Sequence, residues 1–487
     1  MTSPMPRTQN TADRSDAVII FGITGDLAAK KLFPALGRLA LDGKLHADII
    51  GVARSPWSND ELGTVARRAV ATTQAKALHA FAQATSGLRL VTGDYADPTT
   101  YVRLAAELVG ASTPVFYLAT PPVVFPKILD GLRQSGLARR GRVVVEKPFG
   151  RDPQTARELE DALRRAFEDR QIFRVDHYLQ KEPVEGLQVL RFDNELLEPT
   201  WNKDHISHVE ITFAERIGTE GRAGFYDGVG ATRDVLQNHV LQVVSLLAMD
   251  RPRDNTNEAF HDAQAALLRA IRPIDPKEIV RGQYDGYRSQ DGVPDTSRTE
   301  TYIAAELHID SPRWSGVPFR VRAGKQLSDA VTEAVAVFKQ AANSDHPNQL
   351  HAPDVVRFRF GRQDGVSISL QTKAPGENTN NAPVTLNVNF DDALGPRQDA
   401  YERVIDDVIH GRDRRFVRWE AIEQQWRIVR DILDLPDQPA RYSEGSWGPP
   451  HGSLLGPATW QPVGSRAKAV HRPDESTADG EPRDLAG

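Results

Sequence analysis

The chain has 487 residues, 40% of them apolar, which is too long for one compact core and suggests a globular protein of two domains. It has no apolar run of about 18 residues, so no membrane span is expected, and a net charge of −6 argues against a nucleic-acid binder. The lack of cysteine excludes disulfides, a thiolate nucleophile and cysteine metal sites, and it permits a cytoplasmic location.

Met1–Asp16 is rich in Ser, Thr, Pro and Arg and has no apolar signal core, so it reads as a flexible tail. A β-rich run, Ala17–Phe21, leads through a Gly-containing turn into a helix that extends to Leu41. Further strands are expected at Asp48–Ala53, Leu88–Thr92, Val115–Ala119 and Arg142–Glu146, each pair separated by a helix-length segment. This rhythm predicts a Rossmann-like, doubly wound parallel sheet over residues 17–175. From Asp176 the pattern changes. Alternating runs at His208–Phe213, Thr301–Leu307, Val355–Phe360, Val366–Gln371 and Val384–Phe390 predict a mainly antiparallel sheet. Helices are expected at 233–249, 258–271 and 399–434, so residues 176–456 form a larger α+β domain. Pro, Gly and charged residues dominate 457–487, which reads as a disordered tail.

The segment Gly22-Ile-Thr24-Gly25-Asp26-Leu27-Ala28 follows a strand and opens a helix. Its glycines allow a tight turn and close approach of backbone to a pyrophosphate. As a bare motif it also fits a sharp turn with no ligand. The second strand ends Val52-Ala53-Arg54-Ser55, where NAD-binding folds usually place an acid. A guanidinium there can pair with a 2′-phosphate, which favours NADP, although Arg is also common after strands. Lys147 follows Val143–Val145 and lies at the carboxyl edge of the expected sheet, where open α/β folds bind ligands.

Phe173-Arg-Val-Asp176-His177-Tyr178-Leu-Gln-Lys181-Glu182 packs an acid, an imidazole, a phenol and a lysine into six positions. A helix follows, with Pro183 in its first turn. A helix N-terminus suits an anion, and His177 and Lys181 would add donors to it. A solvated helix start fits this segment equally well. The apolar helix Val235–Met249 carries Gln237-Asn238-His239 near its start. A lone helix histidine is usually structural, but three adjacent polar residues in so apolar a helix point to a site. Asp234 and His239 are five residues apart, which does not place them on one face of an α-helix.

The decapeptide resembles the R-I-D-H-Y-L-G-K-E signature of glucose-6-phosphate dehydrogenases, with Val175 for Ile and Gln180 for Gly. Five further segments resemble that family in order: Val18–Ala28, Glu146–Gly150 (EKPFG), Gly218–Arg222 with Arg233–His239 (GTEGR, RDVLQNH), Val317–Lys325 and Tyr442–Pro449. The resemblance covers about residues 17–456 and implies an NADP-dependent oxidation of glucose 6-phosphate to the 1,5-lactone. Such a reaction needs a base for the C1 hydroxyl proton, and histidine suits that role near neutral pH. By resemblance, His239 is the base and Asp176 orients it. The resemblance gives the 6-phosphate to His177, Tyr178 and Lys181, and the sugar to Glu215, Asp234 and Lys325. Lys31 would lie near the substrate, and the Lys147–Pro148 pair would reach substrate and cofactor together. Gly22, Thr24, Gly25, Asp26, Leu27, Arg54 and Lys147 are the expected cofactor contacts. No metal is expected, since no His or acid spacing suggests one. A homodimer or homotetramer joined through the second sheet is implied as well. Family members commonly carry Lys or Arg where this chain has Ala330. That departure and Gln180 both fall near the expected ligand, so a relative acting on another aldose phosphate stays open, as does an NADP(H) sensor without turnover.

Overall fold

The computed structural model describes residues 14–72, 75–85, 87–340, 352–361, 364–376, 381–450 and 460–463. Six strands form the first sheet: β1 (Ala17–Phe21), β2 (Asp48–Ala53), β3 (Arg89–Thr92), β4 (Pro114–Leu118), β5 (Arg142–Glu146) and β6 (Ile172–Val175). Their order is β3-β2-β1-β4-β5-β6 and every pair is parallel. Strands covered by helices on both faces must be apolar on both, and β1 and β4 are buried throughout. β6 adds a strand that the alternation of the first third did not reveal, because the polar decapeptide masks it. The start of that decapeptide is therefore sheet, and Asp176 stands at the strand's carboxyl end, where this topology gathers ligands.

The second sheet has nine strands: β7 (Ile206–Ala214), β8 (Ile279–Tyr284), β9 (Tyr302–Leu307), β10 (Phe319–Gly324), β11 (Val331–Phe338), β12 (Val355–Arg359), β13 (Gly365–Lys373), β14 (Asn381–Asn389) and β15 (Ala440–Tyr442). They run in the order β14-β13-β12-β11-β7-β10-β9-β8-β15. Most pairs are antiparallel, but β7–β10 and β8–β15 are parallel. One apolar core joins the helices Glu182–Phe192, Leu241–Ala248, Asn257–Ala270 and Trp419–Val429 to the inner face of this sheet.

Three expectations need correction. Arg14–Asp16 is docked rather than loose: the Ser15 N–H donates to Ile409 O (2.7 Å), and Asp16 accepts from the N–H groups of Ser112 and Thr113. The buried Arg142 guanidinium holds Ser15 Oγ and the carbonyls of Val408 and Ile409 together. Residues 1–13 lie outside the described residues. At the other end, Trp460 is buried, with the Arg322 guanidinium 4.2 Å from its ring centroid. Gln461 N–H donates to Glu210 and Arg357 donates to Pro462 O, so 460–463 are bound by the sheet; the rest of 457–487 lies outside the described residues. Finally, the helix expected over 399–434 is two, Ala400–Ile409 and Trp419–Val429, separated at Gly411 (φ 66°) and a run of arginines. The first of them buries Val404, Ile405 and Val408 in the core of the first sheet, so a segment from late in the chain covers the nucleotide-type domain.

Candidate active site

Two helices with i→i+5 hydrogen bonding build the site. π-type turns are uncommon and gather at functional positions. One such stretch, Thr232–Val240, precedes the α-helix Leu241–Ala248. In it residues five apart are nearly one turn apart, so Asp234 and His239 share a face. This overturns the expectation that a spacing of five keeps the two off one helix face. The other stretch, Ala28–Leu32, follows the glycine loop and carries Lys31.

An inner cavity lies between the two sheets. Lys147, His177, Tyr178, Glu215, Asp234, Lys325 and His239 all line it. His239 Nδ1 is 2.6 Å from Asp176 Oδ1, both groups buried. A carboxylate only accepts, so Nδ1 carries the proton and Nε2 is left with its lone pair. The Asp176 carboxylate is itself oriented by the Tyr178 N–H at 3.0 Å. Burial would raise the Asp176 pKa, but the charge and hydrogen bond of His239 outweigh it and hold it below the usual range. Burial lowers His239 below its ordinary 6.5, with Asp176 opposing, so the imidazole is neutral at pH 7. Burial and the neighbouring His239 push His177 well down also.

Across the cavity runs a chain of alternating charge. Lys147 Nζ donates to Asp234 O (2.8 Å) and lies 3.7 Å from its Oδ1. Lys325 Nζ sits 3.6 Å from Asp234 Oδ2 and 2.5 Å from Glu215 Oε2. Burial raises the Asp234 pKa, yet the two lysines reverse that and keep it ionised. Burial lowers Lys325, yet Glu215 and Asp234 overcome it and keep it charged. Such a row offers both donors and acceptors to a ligand rich in hydroxyls.

An outer cavity adjoins this one through His177 and contains Lys31, Lys181, Arg397 and Tyr401. Lys181 Nζ is 3.7 Å from the Tyr178 ring centroid. Lys31 therefore stands in the outer cavity, not beside His239. Gln180, expected to crowd the ligand, turns away: it is fully buried and donates to Arg415 O. Ala330 is exposed, two residues before Thr332 of the cavity wall.

The loop after β1 fits a dinucleotide. A Cβ at Gly22 (φ 79°) would fall 2.7 Å from Ala119 O and 2.8 Å from Thr120 Cγ2, so only glycine lets the loop close on the end of β4. Thr120 Oγ1 is buried there and lacks a protein partner, a hydroxyl ready for a ligand. Thr24 Oγ1 meets Ser55 Oγ at 3.2 Å, beside the exposed Arg54, whose guanidinium lies 5.9 Å from the Tyr95 ring centroid. Gly25 continues the turn, its N–H donating to Gly22 O. Asp26 points outward to Lys30 (2.8 Å), and Leu27 packs on the core, so these two offer a ligand backbone rather than side chains.

The sequence had marked neither Tyr226, whose ring centroid is 5.3 Å from Lys325 Nζ, nor Thr332, nor Tyr401. No local signal singles them out. The fold also gathers Asp176, His177 and His239 with ligand-type atoms within 4.8 Å of one another, a set whose spacing in sequence had not suggested a metal. Asp176 Oδ1 is already engaged by His239 and Tyr178, which fits a base with its orienting carboxylate.

Two family models match the chain: glucose-6-phosphate dehydrogenase, NAD binding domain, over residues 19–186, and the C-terminal domain of the same family over 188–456. Glucose-6-phosphate 1-dehydrogenase 1 of Mycobacterium bovis is 40% identical over 92% of this chain and 96% of its own length. The Dickeya dadantii glucose-6-phosphate 1-dehydrogenase is 36% identical, over 90% and 96%. The crystal structure of the Mycobacterium avium glucose-6-phosphate 1-dehydrogenase superposes with a TM-score of 0.82 at 40% identity, covering 89% of this chain and 96% of that one. A solved glucose-6-phosphate dehydrogenase in complex with its substrate glucose 6-phosphate gives 0.83 at 32% identity, covering 90% and 96%. With both halves matched by models of the same family, the chain belongs to the glucose-6-phosphate dehydrogenase family.

Proposed function

We propose that this protein oxidises D-glucose 6-phosphate to 6-phospho-D-glucono-1,5-lactone with NADP as hydride acceptor, the first oxidative step of the pentose phosphate route. The observation that carries the mechanism is the 2.6 Å contact of Asp176 with His239 Nδ1, which leaves Nε2 as an acceptor in the inner cavity. His239 takes the C1 hydroxyl proton, and Asp176 stabilises the imidazolium that results. Asp234, Glu215 and Lys325 hold sugar hydroxyls, while His177, Tyr178 and Lys181 hold the 6-phosphate. NADP, when bound, supplies the hydride-accepting ring; Gly22, Thr24, Gly25 and Arg54 would hold its phosphates and Lys147 would stand at the junction with the sugar. An NADP-reduction assay across a panel of aldose phosphates tests the reading. Glucose 6-phosphate should give the highest kcat/KM; another sugar on top, or no turnover of any, contradicts it. The intact base and sugar-binding set argues against a sensor without turnover.

Arg54 supports NADP over NAD. Arg54→Ala should weaken NADP by about 10- to 150-fold, the equivalent of roughly 1.5–3 kcal/mol for a charge-assisted contact, and leave NAD nearly unaffected. Equal losses in the two KM values would remove Arg54 from this role.

The working unit is a dimer or tetramer joined through the outer strands of the second sheet, and the enzyme is cytoplasmic. Among the described residues no helix is long and apolar enough to cross a membrane. β14 is an edge strand whose Val384, Leu386 and Val388 are 44–60% exposed, and Leu370 of β13 faces Val384. An exposed apolar ribbon at a sheet edge calls for cover. Light scattering at micromolar concentration should report at least a dimer, and Leu386→Lys should shift it toward monomer. A monomeric parent protein would defeat this part of the proposal.

A further inference from the structure

The outer cavity holds four basic side chains, Lys31, Arg38, Lys181 and Arg397, and the two arginines are ion-paired. Arg38 pairs with Glu402 and Asp399, and Arg397 lies 3.3 Å from Glu182. Among the described residues Lys31, like Lys181, has no ion pair, and its ammonium sits 5.9 Å from the centroid of the Tyr401 ring. His177 also borders the Tyr401 ring. Its ring lies nearly parallel to that of Tyr401, 17° apart with centroids 6.4 Å apart. His239 and Tyr178 flank the same imidazole at 4.7 and 5.1 Å. Tyr401 is thus common to a lysine after the nucleotide loop and a histidine of the substrate turn.

The ring is itself held. Tyr401 is in the first turn of Ala400–Ile409, where its N–H donates to the Asp399 carboxylate at 2.9 Å. Its side chain is largely buried, and its hydroxyl lies within electrostatic reach of the Glu146 carboxyl group. Glu146 accepts a hydrogen bond from Tyr117 Oη at 2.5 Å. It ends β5 and immediately precedes Lys147. Burial pushes the Glu146 carboxyl up to about 7, against the hydrogen bond from Tyr117.

We propose that Tyr401 is a positioning residue for the phosphate end of the substrate: its buried ring fixes Lys31 and His177 so that both face the 6-phosphate. The inference rests on the placement of that phosphate at His177 and Lys181. An aromatic face attracts an ammonium and limits where it can go, and a parallel ring restricts an imidazole that would otherwise turn. Tyr401 touches none of the groups at the reacting carbon, so its effect should fall on binding and not on chemistry.

The test uses Tyr401→Leu and Tyr401→Phe in the full chain, with inorganic phosphate as a competitive inhibitor against glucose 6-phosphate. Tyr401→Leu should raise both the KM for glucose 6-phosphate and the Ki of phosphate by about tenfold, as for loss of a partly desolvated cation–ring contact. The value of kcat and the KM for NADP should stay within about twofold. Tyr401→Phe keeps the ring and should restore most of the affinity, leaving at most about a two- to fourfold rise from loss of the hydroxyl. If Tyr401→Leu does not fold, Tyr401→Phe decides alone. Unchanged KM and Ki, or a fall in kcat larger than the rise in KM, overturns the proposal. Lys181→Met separates its failure from that of the phosphate placement. If phosphate does not compete, or its Ki ignores Lys181→Met, the placement is wrong and the proposal falls with it. If Lys181→Met raises Ki and the Tyr401 variants do not, only the role of Tyr401 is lost.

Discussion

His239→Asn should lower kcat by about 10²–10⁴ while KM for glucose 6-phosphate stays within a few-fold, the pattern for loss of a general base. Asparagine is close in size and keeps a polar group in the cavity, but it has no lone pair of comparable basicity. The pH profile provides an independent check. The base works when neutral, so kcat/KM falls as pH drops through its pKa. Burial puts that pKa below the ordinary 6.5, with Asp176 opposing the shift. The acid limb of the parent profile should therefore lie below pH 6.5, and activity should be level from there through neutrality. A limb centred above 6.5, or a variant that keeps kcat within a few-fold, would place the base elsewhere.

Asp176→Asn should be nearly as damaging, with kcat down by about 10²–10⁴, as found when a carboxylate that orients a histidine base becomes an amide. Asp176 Oδ1 accepts from both His239 Nδ1 and the Tyr178 N–H. An amide can present its N–H₂ to the imidazole instead, which turns Nδ1 into the acceptor and leaves the proton on Nε2, the wrong tautomer for a base. It also removes the negative charge that opposes burial, so His239 becomes a weaker base and the acid limb of kcat/KM moves to still lower pH. Substrate KM should change little, because Asp176 is buried behind His239. A variant with kcat within tenfold of the parent, or with an acid limb moved upward, would show that Asp176 does not orient the base.

Local patterning made much of the fold legible. Five strands of the first sheet, and the glycine turn after β1, could be read because a period of two, a helical period and a turn glycine are properties of neighbouring residues. The chemistry-bearing groups were legible for a related reason: Asp176–Lys181 and Gln237–His239 are too polar for the strand end and the apolar helix that carry them. The sixth strand was not, since its four residues merge into that polar stretch.

Other features depended on geometry that no local pattern encodes. Asp234 and His239 share a face only because the helix opens with i→i+5 turns, and the residue spacing alone predicted the opposite. Arg14–Asp16 and Trp460 looked like tails by composition, yet Arg142, Glu210 and Arg322 of distant segments bind them. Gln180 stood next to the phosphate-type turn in sequence but packs against Arg415, away from the cavity. Tyr401 reaches His177 only because Ala400–Ile409 crosses back onto the first sheet. Sequence by itself determined which elements form, because backbone preference and apolar period act over a few residues. Tertiary structure alone decided which side chains meet, because burial, charge pairing and ring contacts join groups that are hundreds of residues apart along the chain.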